Sequence, residues 1–233
     1  MKTLILDGRL SSVGKFVRQG AVFADIGTDH GYLPLALLSE GVISHAVLAD
    51  INEGPLSSAR ENAREAGLYD KCTFHLGDGA RELSGLGITD IAIAGMGGEL
   101  IVDIIENAPH LHKSGVRLIL QPMSHQGDVR EYLAKVGFSI ISEDYSYSQK
   151  KYYVTIVAEY TGECYAISDT VAYFGEERFI LPLNGEKRGY LTARLSALTK
   201  ARDGKAIGGE ACEVESRFID YINNILSTYG GGV

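Results

Sequence analysis

Asp25, Gly27, Asp29 and Gly31 alternate along the stretch ADIGTDHGYLP, and they carry the first chemical signal in this 233-residue chain. The apolar run AVFADI (21–26) leads into them, so the motif stands where a strand ends and a helix begins. At such a junction the first amides of the helix are unpaired and available to a ligand. Gly27 and Gly31 let a ligand approach the backbone closely and accept positive φ. Asp50 closes the next apolar run, HAVLAD, 19 residues after Gly31. From there a carboxylate can accept hydrogen bonds from both hydroxyls of a ribose. The set predicts a nucleoside-containing ligand.

A dinucleotide site would use glycines to free the helix N-terminus for a pyrophosphate. Here carboxylates occupy the first and third places, Asp25 and Asp29, and would repel that group. A cation suits them better, and S-adenosylmethionine carries a sulfonium and an ammonium beside its adenosine. Asp78 and Gly79, in HLGDGAREL, follow a third apolar run. Asp78 can accept from the exocyclic amine of adenine, or can cap the next segment. IAIAGMGGEL then places Gly95, Met96, Gly97 and Gly98 at the end of a fourth run, leaving room for a flat group beside a soft apolar wall at Met96.

The elements that must position these residues read as repeated strand–helix units. Strands are expected at 21–26, 45–50, 71–77, 90–95, 116–122, 138–147 and 151–160, with helices over 31–41, 52–68, 97–111 and 124–137. The last two strands alternate across SQKK and read as an antiparallel hairpin. Beyond residue 161 the pattern changes to a turn with a short helix, then amphipathic stretches at 187–202 and 210–229 separated by DGKAIGG. Leu191, Leu195 and Leu198 in the first, and Val214, Phe218, Tyr221, Ile222 and Ile225 in the second, predict a helical hairpin packed as a short coiled coil. The tail GGGV is expected to be disordered.

Composition narrows the classes. No apolar run approaches the ~20 residues needed to span a bilayer, and no leader is expected, so a cytoplasmic protein without a membrane partner is anticipated. Cys72, Cys164 and Cys212 lie far apart, suggesting neither disulfides nor a metal cluster. The net charge of −8 argues at first against nucleic acid. Its distribution is uneven: residues 181–205 hold six basic residues against two acidic ones, and Lys2, Arg9, Lys15 and Arg18 face only Asp7 before residue 20. Each excess is either a solvated face or a surface for a polyanion.

In order and spacing, DIGTDHGYLP, GDG, IAGMGG and LILQPM resemble the bacterial tRNA adenine-N1-methyltransferases that modify adenosine 22, the TrmK-like family. The resemblance runs from Arg9 to the C-terminal helices. It implies an α/β protein: a Rossmann-like class I methyltransferase domain with a seven-stranded sheet (1–160), then an α-helical coiled-coil domain (161–233). The generic pattern D-x-G-x-G-x-G is broken at Asp29, as it is in the family. Carried over by position, the resemblance assigns Asp25, Gly27, Asp29, His30 and Gly31 to the methionine side of S-adenosylmethionine, although His30 can equally be a structural histidine. Asp50 and Ile51 fall to the ribose, Asp78 and Gly79 to the adenine, and Gly95, Met96 and Gly97 to the border of the target base. Gln121 would bond the target or line its entrance. Asp29, Met96 and Gln121 form the expected catalytic set, with Asp29 stabilising the cationic product base. The target base must leave its surroundings, which requires a grip on the tRNA. Arg9, Lys15 and Arg18, with Lys187, Arg188, Arg194, Lys200 and Arg202, are the positive surfaces for it. A monomer without metal is expected. Methylation of a small molecule or protein, or a non-catalytic nucleotide-binding module, remain the alternatives.

Overall fold

The computed structural model describes residues 6–229, so the C-terminal GGGV lies outside the described residues. Seven strands form one sheet: β1 (Ala21–Ile26), β2 (Ile43–Asp50), β3 (Cys72–Leu76), β4 (Asp90–Met96), β5 (Arg117–Pro122), β6 (Phe138–Ser148) and β7 (Lys151–Tyr160), in the order β3-β2-β1-β4-β5-β7-β6. β1 to β5 pair in parallel, whereas β7 runs antiparallel to both β5 and β6. The order reverses between β1 and β4, so the connections leave in opposite directions and open a crevice at their carboxyl ends. The Rossmann-like methyltransferase sheet and the terminal hairpin expected from the sequence are both present.

The strands read as near-continuous apolar runs because helices cover both faces. On one face α1 (Gly8–Gly14), α2 (Tyr32–Ser39) and α3 (Glu53–Glu65) enclose Val13, Phe23, Leu35, Leu48, Leu56 and Val157. On the other, α4 (Gly98–Glu106) and α5 (Gln126–Lys135) enclose Ile91, Ile93, Ile101, Leu120, Leu133 and Ile156. That second core continues without a break into the C-terminal helices, through Phe174, Tyr190, Leu191, Leu198, Phe218 and Ile222. These belong to α6 (Asp169–Phe174), α8 (Gly185–Ile207) and α9 (Glu213–Tyr229), with the one-turn α7 (Glu177–Ile180) between.

A buried polar staple fixes the join. Arg130 of α5 and Glu143 of β6 are shielded from solvent, with the guanidinium donating to both carboxylate oxygens at 2.7 and 3.0 Å. Arg130 also donates to the Ala172 carbonyl (2.8 Å), and the Tyr145 hydroxyl donates to Glu143 and lies 3.2 Å from the Phe174 carbonyl. Every charge there has a partner, as burial demands.

Three details depart from the sequence reading. The seven-residue α1 was not foreseen. Its N-cap Asp7 accepts from the Leu10 amide at 2.8 Å, and at Gly14 an added Cβ would stand 3.3 Å from Leu33. α8 runs through Gly204 to Ile207 instead of ending at 202, and the Lys205 ammonium in its last turn reaches Glu215 of α9 at 2.7 Å. Val214 is exposed, and Ile219 joins Phe218, Ile222 and Ile225 in the seam. Among the described residues no helix is long and apolar enough to cross a membrane, and all three cysteines are free thiols.

Candidate functional site

Two adjoining pockets fill the crevice beyond β1, β2 and β4. The first is lined by Arg9, Asp25, Gly27, Thr28, Asp29, His30, Tyr32 and Ala94. The second is lined by Ile26, Gly27, Asp50, Ile51, Asn52, Gly77, Asp78, Gly79, Met96, Leu100 and Ile104. Gly27 belongs to both. It has φ +72°, and a Cβ there would collide with the Met96 methyl, so the two residues form a neck between the pockets. Gly31, also at φ +72°, caps α2, and a Cβ there would stand 2.8 Å from Leu48 and 3.2 Å from Ala59. Glycine at these places lets the turn pack onto β2 and α3.

The first pocket ends on a buried carboxyl. Asp25 is 7% exposed and accepts from the Thr28 hydroxyl at 2.8 Å. Burial pushes its carboxyl up to about 7; the Thr28 hydrogen bond and the Arg9 charge pull it down, and Asp50 pushes it up further. A carboxyl in this state gains from any cation brought beside it. Asp29, at φ +48°, is exposed at the rim, and its carboxylate lies 3.5 Å from the His30 ring. That ring stacks on Tyr32 with centroids 5.2 Å apart, while the His30 carbonyl accepts from Asn62. In the second pocket Asp50 accepts from the Asn52 backbone amide at 2.8 Å through one oxygen, and its other oxygen has no hydrogen bond among the described residues. Ile51 is 64% exposed on the lip, and Asp78 sits opposite in a loop where no helix begins. Beyond the neck, Gly95 at φ +77° lies under Arg9, since a Cβ would come within 3.0 Å of its guanidinium; Gly97 faces the Ser124 hydroxyl.

Gln121 is not part of this surface. It is fully buried, and its amide donates to the Arg9 carbonyl and to the Thr155 hydroxyl, both at 3.1 Å. Thr155 in turn bonds Ser12 of α1, which bonds Asp144. The residue expected to meet the target thus anchors α1, and Arg9 with it, from below.

Comparison with known proteins agrees with this geometry. A family model for a methyltransferase domain matches residues 6–156. The tRNA (adenine(22)-N(1))-methyltransferase of Bacillus subtilis is 37% identical over 159 residues, 68% of this chain and 67% of that protein. The chain belongs to the tRNA (adenine(22)-N(1))-methyltransferase family. Among solved members of similar fold, the B. subtilis m1A22 tRNA methyltransferase TrmK superposes with a TM-score of 0.79 at 27% identity, over 97% of this chain and 98% of that one. A Streptococcus pneumoniae protein described as a candidate tRNA (m1A22) methyltransferase, solved with S-adenosyl-L-methionine, superposes at 0.82 with 31% identity, over 95% of this chain and all of that one.

In this methyltransferase the basic residues expected to grip RNA do not gather into one patch. Arg9 turns into the first pocket. Lys15 pairs with Asp144 at 2.7 Å. Arg18 lies at the far end of the sheet, bound to the buried Asp90 and donating to the Thr89 and Gly115 carbonyls. Arg194 donates to Gln126 at 2.8 Å and lies over the Tyr173 ring, and Arg202 pairs with its neighbour Asp203. Lys187 is half-buried and reaches the Pro182 carbonyl, with Arg188 beside it, and Lys200 is exposed on α8. Residues not foreseen at the site include Thr28, Tyr32, Asn52, Leu100 and Ile104. Thr28 sits inside the motif, and Leu100 and Ile104 stand one helical turn apart, a spacing that was legible. Outside the cleft, Glu99, His125 and Asp128 come close enough to share one ion, all three exposed.

Proposed function

We propose that this chain transfers a methyl group from S-adenosylmethionine to N1 of adenosine 22 in tRNA, with residues 1–160 holding the donor and 161–233 forming the helical domain. The observation that carries the reading is Asp25: a buried carboxyl with a raised pKa, at the end of a glycine-lined turn that opens toward a second carboxylate, Asp50. These residues fit a cationic, adenosine-containing donor and would not fit a pyrophosphate.

When bound, S-adenosylmethionine supplies a methyl group on a positively charged sulfur. Asp25, supported by Thr28, holds the ammonium, and the Arg9 guanidinium is placed for the carboxylate of the same ligand. Asp50 accepts from the ribose hydroxyls, Asp78 from the adenine amine, and Ile51, Leu100 and Ile104 cover the ring. Gly27 and Met96 form the neck at which donor and acceptor meet, with Gly95 and Gly97 leaving space for the target base. Its N1 lone pair lies in the ring plane and is already nucleophilic, so the protein needs to align it and exclude water. The base becomes cationic, and Asp29 stabilises that charge from the rim.

The test is to incubate the protein with methyl-labelled S-adenosylmethionine and bulk bacterial tRNA, then digest the RNA. Label in N1-methyladenosine, lost from a transcript with guanosine at position 22, supports the reading. Donor binding by calorimetry without any label in RNA refutes it.

A further inference from the structure

The hairpin between β6 and β7 presents a feature that the methyl-transfer reading does not use. Ser148 pairs with Lys151, so the turn consists of only Gln149 and Lys150, at φ +48° and +61°. Two consecutive left-handed residues suit Asn-Gly, and a Gln-Lys pair there is held against its backbone preference. Both residues are exposed, as is Lys151, and neither lysine makes an ion pair among the described residues. One residue before the Ser148–Lys151 pair, and on the other face of the hairpin from it, Tyr147 is 52% exposed, its ring 4.7 Å from that of its cross-strand partner Tyr152.

The tip lies at the cleft end of the sheet. β7 is antiparallel to β5, so its start stands beside the carboxyl end of β5. A Cβ on Gly8 would lie 3.2 Å from the Tyr147 carbonyl, and the next residue, Arg9, lines the donor pocket. On the opposite face Tyr152 packs against Gly189 of α8, bringing Lys187 near Lys15. Asp144, further along β6, is paired with Lys15, and Asp7 caps α1.

We infer that this tip docks the sugar–phosphate backbone of the tRNA through Lys150 and Lys151, with the exposed Tyr147, on the other face of the hairpin from Lys151, open to an unpaired base. The inference rests on the proposed tRNA substrate. Adjacent free ammonium groups displace counterions from phosphates, and an aromatic face accepts any base by stacking. The turn keeps a strained sequence because Asn-Gly would remove one of the cations.

The test is tRNA binding at several salt concentrations, which needs no turnover, by wild type and by Lys150→Ala with Lys151→Ala. Dissociation constants are expected to rise about tenfold, and the slope of log affinity against log salt to fall by between about one and two. Donor affinity stays unchanged, and the paired Lys→Arg variant binds as wild type. A second variant, Gln149→Asn with Lys150→Gly, is expected to melt higher and bind tRNA more weakly, a combination that a merely structural turn does not give. Wild-type affinity and salt slope in the alanine variant overturn the inference. Failure of the methylation reading shows separately, as absence of label in wild-type reactions whether or not tRNA binds.

Discussion

Replacing Asp25 by Asn separates what the buried carboxyl does for the donor from what it costs the fold. Burial raises this group from 3.8 to about 7, against the opposing pull of Thr28 and Arg9. The folded protein therefore holds the Asp25 proton more tightly than the unfolded chain does. The destabilisation is absent below about pH 4, grows as pH rises to about 7, and is complete above it. At pH 8 the ionised carboxyl costs about 4 kcal/mol relative to an exposed one. Asn can still accept from Thr28 and carries no charge at any pH. In urea denaturation of the donor-free protein, Asp25→Asn should gain on wild type by about 2 to 3 kcal/mol more at pH 8 than at pH 5. Comparing the two pH values cancels the shape change and isolates the charge. Donor affinity should move oppositely. In wild type it strengthens as pH rises from about 6 to 8, since Asp25 must ionise to hold an ammonium, and in the variant it is weak and flat. An equal stability difference at both pH values would refute the reasoning, because Asp25 would then be ionised throughout.

Three further outcomes follow from the geometry. Asp29→Asn, which keeps a residue tolerant of the left-handed conformation, should lower turnover at saturating donor and tRNA by about tenfold and leave the melting temperature unchanged; undiminished turnover removes Asp29 from the chemistry. Gly98→Ala places a Cβ against the carbonyl oxygens of Ser124, at 2.7 Å, and His125, and because backbone cannot turn aside it should cost about 2 kcal/mol or more in urea denaturation. Arg130→Met leaves Glu143 buried and unpaired and should cost about 3 to 5 kcal/mol, while adding Glu143→Leu should restore most of that loss; equal damage from single and double variants would show that the staple contributes through packing alone.

The strands were legible because each is an apolar run bounded by glycine or a charge, and the motif residues because they stand where those runs end. Asp25, Asp50, Asp78 and Met96 follow from strand ends alone, and the parallel sheet brings strand ends together. What the sequence could not show is where a long side chain spends its hydrogen bonds. Gln121 ends a strand as the others do, but it faces α1, an element too short to leave a periodic signature. Arg18 and Arg194 read as surface cations until Asp90 and Gln126, distant in sequence, are found against them. The free charge at Lys150 and Lys151 went unremarked because two lysines in a turn look like ordinary solvated residues. Only their place beside the cleft, and the strained backbone that holds them, set them apart.

The unbroken core between the sheet and the C-terminal helices has a consequence for substrate choice. A helical arm on a loose tether would swing to meet RNAs of many shapes. Here Tyr190, Leu191 and Leu198 of α8 share the packing of Phe174 and Ile156, and Arg130 clamps the approach to it. α8 has 23 residues and so extends about 35 Å as a rigid rod. The sheet and the helical hairpin therefore keep one fixed spacing, set by a shared core and not by whatever binds, and a shape that touches both must match that spacing as it stands.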